Sequence, residues 1–428
     1  MTLNEIKQAY KEIFYIENDE LLDLMCAIAI SCWTKSDAIW LLIIGAPSSG
    51  KTEFVNTLAG LEFAHQISSM TENSFLSAMP GSDGKEKSLL HRIGKNGMIL
   101  MKDYTSILSL KEELRKKILG DMREIYEGWI KKETGTGKKL EWKGKINFVG
   151  AVTDSIYLGE GDDASMGRRT IDYVMPHLTS TVRIKMAKRS SQNIGDAQTK
   201  RDKLKVMFAE FIEIKRKELP EVLPSLPEEL LNELITIADF STQMRTATKR
   251  DFHGNLMFAP ENEAPMRMSN QLMILAQVLI FLNDGILKQE HHDILCKVAL
   301  DSISRQRRVT LQVLAKYSAV TTKGLAQELN YPTKTTLSWL EDINVIGGCS
   351  RYLAGSSDMW KLNKNAREIM IKYDNITPIN EDLMGNESYD SYRGEDPANF
   401  DAGTIAEAER KATKDLDNFD DKPIKLPY

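Results

Sequence analysis

The sequence predicts an α/β fold in which a buried parallel sheet carries helices on both faces. Three continuous apolar runs, at residues 38–44, 98–101 and 146–152, have the length and composition of buried strands. Stretches with apolar residues at helical spacing separate these runs. Buried strands that alternate with helices are typical of a parallel sheet covered on both sides.

Composition and charge exclude several classes of protein. The 428-residue chain is 42% hydrophobic and 27% charged, close to the globular average, which excludes global disorder. No apolar run approaches the roughly 18 residues of a membrane span. The N-terminus lacks the layout of a secretory signal, so we expect a cytoplasmic protein without membrane contact. The four cysteines form no C-x-x-C pair, which argues against a zinc ribbon or a redox motif.

Changes in composition along the chain predict five parts. The stretch from 220 to 302 is apolar at helical spacing and contains no strand candidate, whereas residues 374–428 hold 14 acidic and 6 basic side chains. The predicted parts are a helical segment at 1–35, an α/β core at 36–219, a helical region at 220–302, a C-terminal domain at 303–365 and an acidic, largely disordered tail at 374–428.

The most specific motif is the segment 45–52. Its sequence, GAPSSGKT, fits the pattern G-x-x-x-x-G-K-[ST] and lies between a predicted strand and a predicted helix. In such a loop, Lys51 reaches the β- and γ-phosphates and the Thr52 hydroxyl binds Mg²⁺. The sequence therefore predicts a site for ATP and Mg²⁺. The other loop residues expected to hold the nucleotide are Gly45, Pro47, Ser48, Ser49 and Gly50.

Polar residues follow the next two predicted strands. Asp103 would bind Mg²⁺ or activate water, although Lys102 and Tyr104 flank it where a second acid is usual. Its alternative role is that of a turn residue. Thr153 would orient the attacking water or contact the γ-phosphate, but any strand can end in threonine.

The chain contains, in order, the loop at 45–52, a strand followed by an acid, a strand followed by a polar residue and a helical region. This order of elements resembles that of the AAA+ ATPases. The resemblance implies that 36–219 is the nucleotide-binding core and 220–302 its helical lid. A predicted hairpin at 128–144, with one Trp in each arm, resembles the pre-sensor-1 hairpin of the AAA+ group that contains the minichromosome-maintenance helicases. That likeness implies a pore hairpin whose Lys138 and Lys139 contact DNA, with a solvated turn as the alternative.

Several arginines extend the resemblance. Arg168, with Arg169 as the second choice, matches the arginine finger that reaches the γ-phosphate of a neighbouring subunit, and a surface pair is the alternative. Arg267 resembles the sensor 2 residue that contacts the nucleotide of its own subunit, and Arg245 competes for that role. The resemblance therefore implies a homo-oligomer, a hexameric ring, with active sites shared between subunits.

Residues 303–365 resemble a winged-helix domain. The predicted elements are helices at 303–317, 322–329 and 333–343 and a hairpin that opens at 347–348 and returns at 358–362. In a DNA-binding domain of this kind the last helix enters the major groove, where Lys334, with Lys323 and Arg351, would meet phosphates. Winged helices also bind proteins, so both uses stay open.

Together these features predict a Mg²⁺-ATP-dependent AAA+ motor that acts on DNA, resembling a small replicative helicase of a mobile element. One alternative is an ATP-switched replication initiator or helicase loader that binds DNA without unwinding it. Another is the ATPase subunit of a defence or mobile-element complex, in which the C-terminal domain binds protein. The acidic tail could dock a protein partner in any of these.

Overall fold

A five-stranded parallel sheet forms the centre of the structure. The structure, a computed structural model, describes residues 2–77, 88–133, 137, 139–158, 168–258, 261–355, 357–379 and 381–385. The sheet strands are β1 (Trp40–Ile44), β2 (Ala64–Ile67), β3 (Asn96–Met101), β6 (Lys145–Val152) and β7 (Thr170–Val174). A separate antiparallel hairpin, β4 (Trp129–Glu133) and β5 (Lys139–Lys143), precedes β6. The spatial order is β2-β3-β6-β1-β7.

The three predicted strands are confirmed as β1, β3 and β6, and both faces of the sheet are buried. In β1, Leu41 and Ile43 point into one core, whereas Trp40, Leu42 and Ile44 point into another. Burial on both faces explains why these strands appear in the sequence as continuous apolar runs rather than alternating patterns.

Helices cover both faces. They are α1 (Leu3–Ile13), α2 (Glu20–Ser31), α3 (Lys51–Leu58), α4 (Leu89–Ile93), α5 (Thr105–Leu108), α6 (Glu112–Tyr126), α7 (Ser180–Gln192), α8 (Ala197–Glu218), α9 (Glu228–Arg245), α10 (Met266–Leu282), α11 (Gln289–Asp301), α12 (Arg305–Lys316), α13 (Thr322–Leu329), α14 (Thr333–Val345) and α15 (Lys364–Tyr373). A short 3₁₀ helix, Asp154–Leu158, follows β6. None of the helices in the described ranges is both long enough and apolar enough to cross a membrane.

One continuous core joins parts of the chain that the sequence suggested were separate. It contains the N-terminal helices, one face of the sheet and the helical region, where α10 packs against α2 and α11 packs against β7. Leu325 of α13 and Trp360 belong to the same core. Helical structure at 1–35 and 220–302 is confirmed, but Met1–Met384 forms one compact unit. The reason is that α10 is buried around most of its circumference.

The C-terminal region contains the predicted helices and hairpin. Helices α12, α13 and α14 appear at the expected positions, and the Thr321 hydroxyl caps α13 by accepting the N–H of Gly324 at 3.0 Å. Four strands form its sheet, in the order β11-β12-β10-β13: β10 (Ala319–Thr321), β11 (Cys349–Ala354), β12 (Ser357–Leu362) and β13 (Asp382–Leu383).

Two expectations about irregular regions are wrong for the residues described. A short hairpin, β8 (Lys249–Arg250) and β9 (Leu256–Phe258), lies between α9 and α10, where no strand was expected. The first residues of the predicted tail are packed, since Asp374 pairs with Arg308 at 2.7 Å and β13 pairs with β10. Strands this short carry no periodic signal. The rest of the tail lies outside the described residues.

A buried asparagine joins the sheet to α2. Asn147 of β6 is fully buried, and its Oδ1 accepts the Ile39 N–H at 2.9 Å. Its Nδ2 donates to the Ile28 carbonyl at 2.7 Å and to the Ser31 hydroxyl at 2.8 Å. The side chain thus satisfies three polar groups that have no access to water.

Asn147→Ala should lower the free energy of unfolding by about 3 kcal/mol, because buried polar groups would lose their partners. Urea denaturation measures this change. The exposed Asn270 is a matched control, and Asn270→Ala should change stability by less than about 0.5 kcal/mol. Equal effects of the two substitutions would contradict the assigned role of Asn147.

Candidate nucleotide site

The carboxyl edge of the sheet gathers the ends of β1, β3 and β6. Ile44 lies opposite Val152 of β6 and Val174 of β7, and Met101 of β3 lies opposite Gly150. The residue after β6, Thr153, therefore lies between the loop that follows β1 and the acid that follows β3. This is the edge at which parallel sheets bind ligands.

The loop that joins β1 to α3 has the conformation of an anion cradle. Ser48 and Gly50 adopt positive φ angles of 59° and 90°, as residues do in loops whose N–H groups converge on an anion. A Cβ on Gly45 would lie 2.9 Å from the Met175 Cβ, so glycine is required there by close approach. Ser48 and Pro47 are exposed, and α3 begins at Lys51.

Lys51 closes this loop. Its ammonium donates to the carbonyl oxygens of Gly45 and Ala46, both at 2.7 Å, and lies 3.4 Å from the Ser49 hydroxyl. Burial lowers the pKa of Lys51, and the carboxylates of Asp154 and Asp103 oppose that shift. Phosphate oxygens can replace the two carbonyls as partners of this ammonium.

The oxygen donors near Lys51 suit a magnesium ion. Thr52 is exposed in the first turn of α3, and the carboxylates of Asp103 and Asp154 follow β3 and β6. Hydroxyl and carboxylate oxygens are the ligands that Mg²⁺ accepts. One Oδ atom of Asp103 also accepts the Thr105 N–H at 3.0 Å, so this acid caps α5 as well.

Thr153 lies where the sequence places it, directly after β6. Its hydroxyl is 2.8 Å from the Ser155 hydroxyl and is partly exposed. Asp154, which immediately follows, was not singled out as a site residue. The sequence does contain a signal for Asp154: it is an acidic residue directly after Thr153, the polar residue that follows a predicted strand.

A cavity of about 560 Å³ adjoins the loop. Besides residues of the loop, its lining includes Phe14 and Ile16, which lie between α1 and α2, and Leu178 and Met186 at α7. An apolar slot beside an anion cradle has the size and polarity for a nucleoside. These lining residues were not predictable from the sequence, because α1 and α2 appear there as one helical stretch.

Arg168 and Arg169 lie at the opposite, amino edge of the sheet. They precede β7, whose Thr170 pairs with Trp40 at the start of β1, roughly 13 Å from Ile44 at about 3.3 Å per residue. Arg168 forms a 2.7 Å ion pair with the fully buried Asp172, and Arg169 lies 3.4 Å from Glu127. Neither arginine lies beside the phosphate loop of its own chain.

Arg267 is also held at the amino edge. Its guanidinium donates to the Arg168 carbonyl at 3.2 Å and lies 3.4 Å from Glu263. Arg245 forms a two-pronged ion pair with the same glutamate at 2.7 and 2.8 Å. The structure therefore does not bring Arg267 or Arg245 to the loop as sensor 2 residues, because Glu263 and backbone carbonyls already hold them.

The predicted hairpin is present as β4 and β5. Ile130, Leu140 and Trp142 anchor one face in the core, while Lys139 on the other face is exposed and lies 3.7 Å from Glu133. Lys138, the other proposed DNA contact, lies outside the described residues. In the C-terminal region Lys334 is exposed at the start of α14.

Neither a protein-family model nor a curated protein sequence matches this chain.

Proposed function

We propose that this chain is an oligomeric AAA+-type ATPase that uses Mg²⁺-ATP to act on DNA. The observation that carries the proposal is the loop between β1 and α3, where Lys51 bridges two backbone carbonyls at the sheet edge from which Asp103 and Asp154 follow β3 and β6. The ammonium, the loop N–H groups and the α3 N-terminus attract phosphates. The acids and Thr52 supply oxygen ligands for the metal.

In this proposal each residue has a defined task. Lys51 exchanges its carbonyl partners for β- and γ-phosphate oxygens, and Thr153 orients the attacking water. Asp103 accepts the proton of that water or holds the metal together with Thr52. A bound Mg²⁺ would neutralise charge on the phosphates. The apolar slot lined by Phe14 would hold the base.

The order of elements supports the AAA+ assignment. Strand β6 lies between the loop strand β1 and the acid-bearing β3, which places Thr153 next to both. A hairpin precedes β6 and a helical region follows β7. The C-terminal helices and hairpin resemble a winged helix in chain order and in sheet pairing.

Shared active sites follow from the positions of the arginines. Arg168 and Arg169 lie at the amino edge, away from their own loop. A role in ATP hydrolysis therefore requires that one of them reach the loop of a neighbouring subunit. That requirement favours a ring, and the exposed Lys139 and Lys334 are the proposed DNA contacts within it.

One observation favours a second candidate, an ATP-switched initiator or loader with slow hydrolysis. Asp103 caps α5, and Asp154 pairs with Arg305 at 2.8 Å, so both acids have partners within the chain. Carboxylates held by these partners are less available to an attacking water. A loader would bind DNA in the presence of ATP without displacing a strand.

The double substitution Lys138→Ala/Lys139→Ala should weaken single-stranded DNA binding by at least about tenfold at low salt, because phosphate contacts are lost. ATP binding should stay unchanged. Fluorescence anisotropy, DNA-stimulated ATPase and strand displacement measure the effects. Lys364→Ala, which removes another exposed lysine, is the control. DNA binding without displacement by the wild type would select the loader, and salt-independent DNA binding would contradict both candidates.

A further inference from the structure

The corner between α11 and α12 is fixed at the carboxyl end of β7. The buried Asp301 carboxylate accepts the Val174 N–H at 2.7 Å, and the buried Ser302 hydroxyl accepts the Asp172 N–H at 3.0 Å. Lys297 donates to the Val174 carbonyl at 2.8 Å. Because Val174 lies opposite Ile44, the start of α12 is held beside the phosphate loop.

Arg305, the first residue of α12, reaches across this edge. Its Nη1 lies 2.8 Å from the Oδ2 of Asp154, which follows β6. Strands β6 and β7 flank β1, so their axes are roughly 10 Å apart at about 4.8 Å per strand. The ion pair therefore crosses the end of β1, from which the phosphate loop starts.

Asp154 therefore interacts with two cations near the loop. It forms the ion pair with Arg305, and its charge also opposes the lowering of the Lys51 pKa by burial. The pair with Arg305 is solvent-exposed, with 56% of the arginine side chain and 44% of the aspartate side chain accessible, so it is easily exchanged. A terminal phosphate carries more charge than one carboxylate and offers more acceptor oxygens to a guanidinium.

We propose that Arg305 leaves Asp154 and binds the terminal phosphate when a nucleoside triphosphate occupies the loop. This inference rests on the proposed nucleotide site. Arg305 begins the helix whose Leu311 and Leu314 lie in the core with Leu325 and Trp360. The exchange therefore couples the presence of a γ-phosphate to the position of the C-terminal helices. Through it, Arg305 distinguishes a nucleoside triphosphate from a nucleoside diphosphate.

The test compares nucleotide affinities of the full-length chain in the presence of Mg²⁺. Arg305→Ala should weaken binding of a non-hydrolysable ATP analogue by about tenfold, the loss of a charge-assisted hydrogen bond, and leave ADP affinity unchanged. The affinity of Arg305→Lys for the ATP analogue should lie between those of the wild type and the alanine variant. Lys364→Ala, which breaks another exposed ion pair, is the matched control and should change neither affinity. Calorimetric titration gives all these constants.

The outcomes separate this inference from the proposed function. A wild type that binds neither nucleotide refutes the proposed function. A wild type that binds both, with Arg305→Ala weakening the two equally or not at all, refutes only the role of Arg305. Hydrogen exchange gives a second readout: the ATP analogue should slow exchange in residues 305–316 of the wild type and not of Arg305→Ala. Equal slowing in both would overturn the proposed link.

Discussion

Lys51→Ala is expected to reduce ATP affinity and hydrolysis by at least about 100-fold, because the phosphates lose the cation that the loop holds for them. This ammonium bridges the carbonyls of Gly45 and Ala46, so Lys51 itself helps to organise the loop. Binding of a fluorescent ATP analogue and phosphate release measure the two effects.

Two controls make this result specific. Lys116→Ala removes an exposed lysine of α6 and should leave both activities within about twofold of the wild type. Thermal unfolding checks that the Lys51 variant is folded. A folded Lys51 variant that still binds and hydrolyses ATP would remove the basis of the proposed function.

Arg168→Ala should lower the free energy of unfolding by about 3–5 kcal/mol, since it breaks the ion pair of the buried Asp172 carboxylate. Asp172 is fully buried, and burial raises its pKa against the opposing effect of Arg168. Chemical denaturation measures the loss. Arg351→Ala, which breaks an exposed pair with Asp358, should cost less than about 1 kcal/mol.

The double variant Arg168→Ala/Asp172→Asn separates the two roles of this arginine. Without the buried charge, it should regain most of the lost stability. If Arg168 also acts on a neighbour's nucleotide, the double variant stays inactive in ATP hydrolysis although it is folded. Mixing it with Lys51→Ala subunits should then restore part of the activity, because some interfaces combine an intact loop with an intact arginine. Full activity of the double variant alone would rule out the finger role.

The sheet and the strand–loop–helix at β1 and α3 were predictable because their signals are local. A strand buried on both faces is a continuous apolar run, and the loop needs glycine and lysine at fixed spacing. The helices α9, α10 and α13 were equally clear from helical periodicity and, for α13, from a threonine cap. Such features are decided within a few residues of the chain.

The contacts of the charged residues were not predictable, because they depend on the tertiary fold. Arg267 occupies a helix start, as a sensor 2 residue does, yet Glu263 and the Arg168 carbonyl hold it at the amino edge. Arg305 had no sequence signal, since only the packing of Asp301 on β7 brings it to the loop. The packing of α10 into the common core was not predictable, because burial on most sides of a helix cannot be distinguished from ordinary amphipathicity in sequence.

The uninterrupted interior from α1 to α15 limits how this protein can transmit motion. A chain of modules on flexible tethers can lose or replace one module without disturbing the rest. Here the N-terminal helices, the sheet and the C-terminal helices all contribute side chains to one hydrophobic core. Sliding of one of these parts against another therefore strains the packing of all of them. In the proposed ATPase, movement driven at the loop between β1 and α3 would therefore travel as a small displacement of packed helices. Fragments cut at 219 or 302 would expose apolar surface.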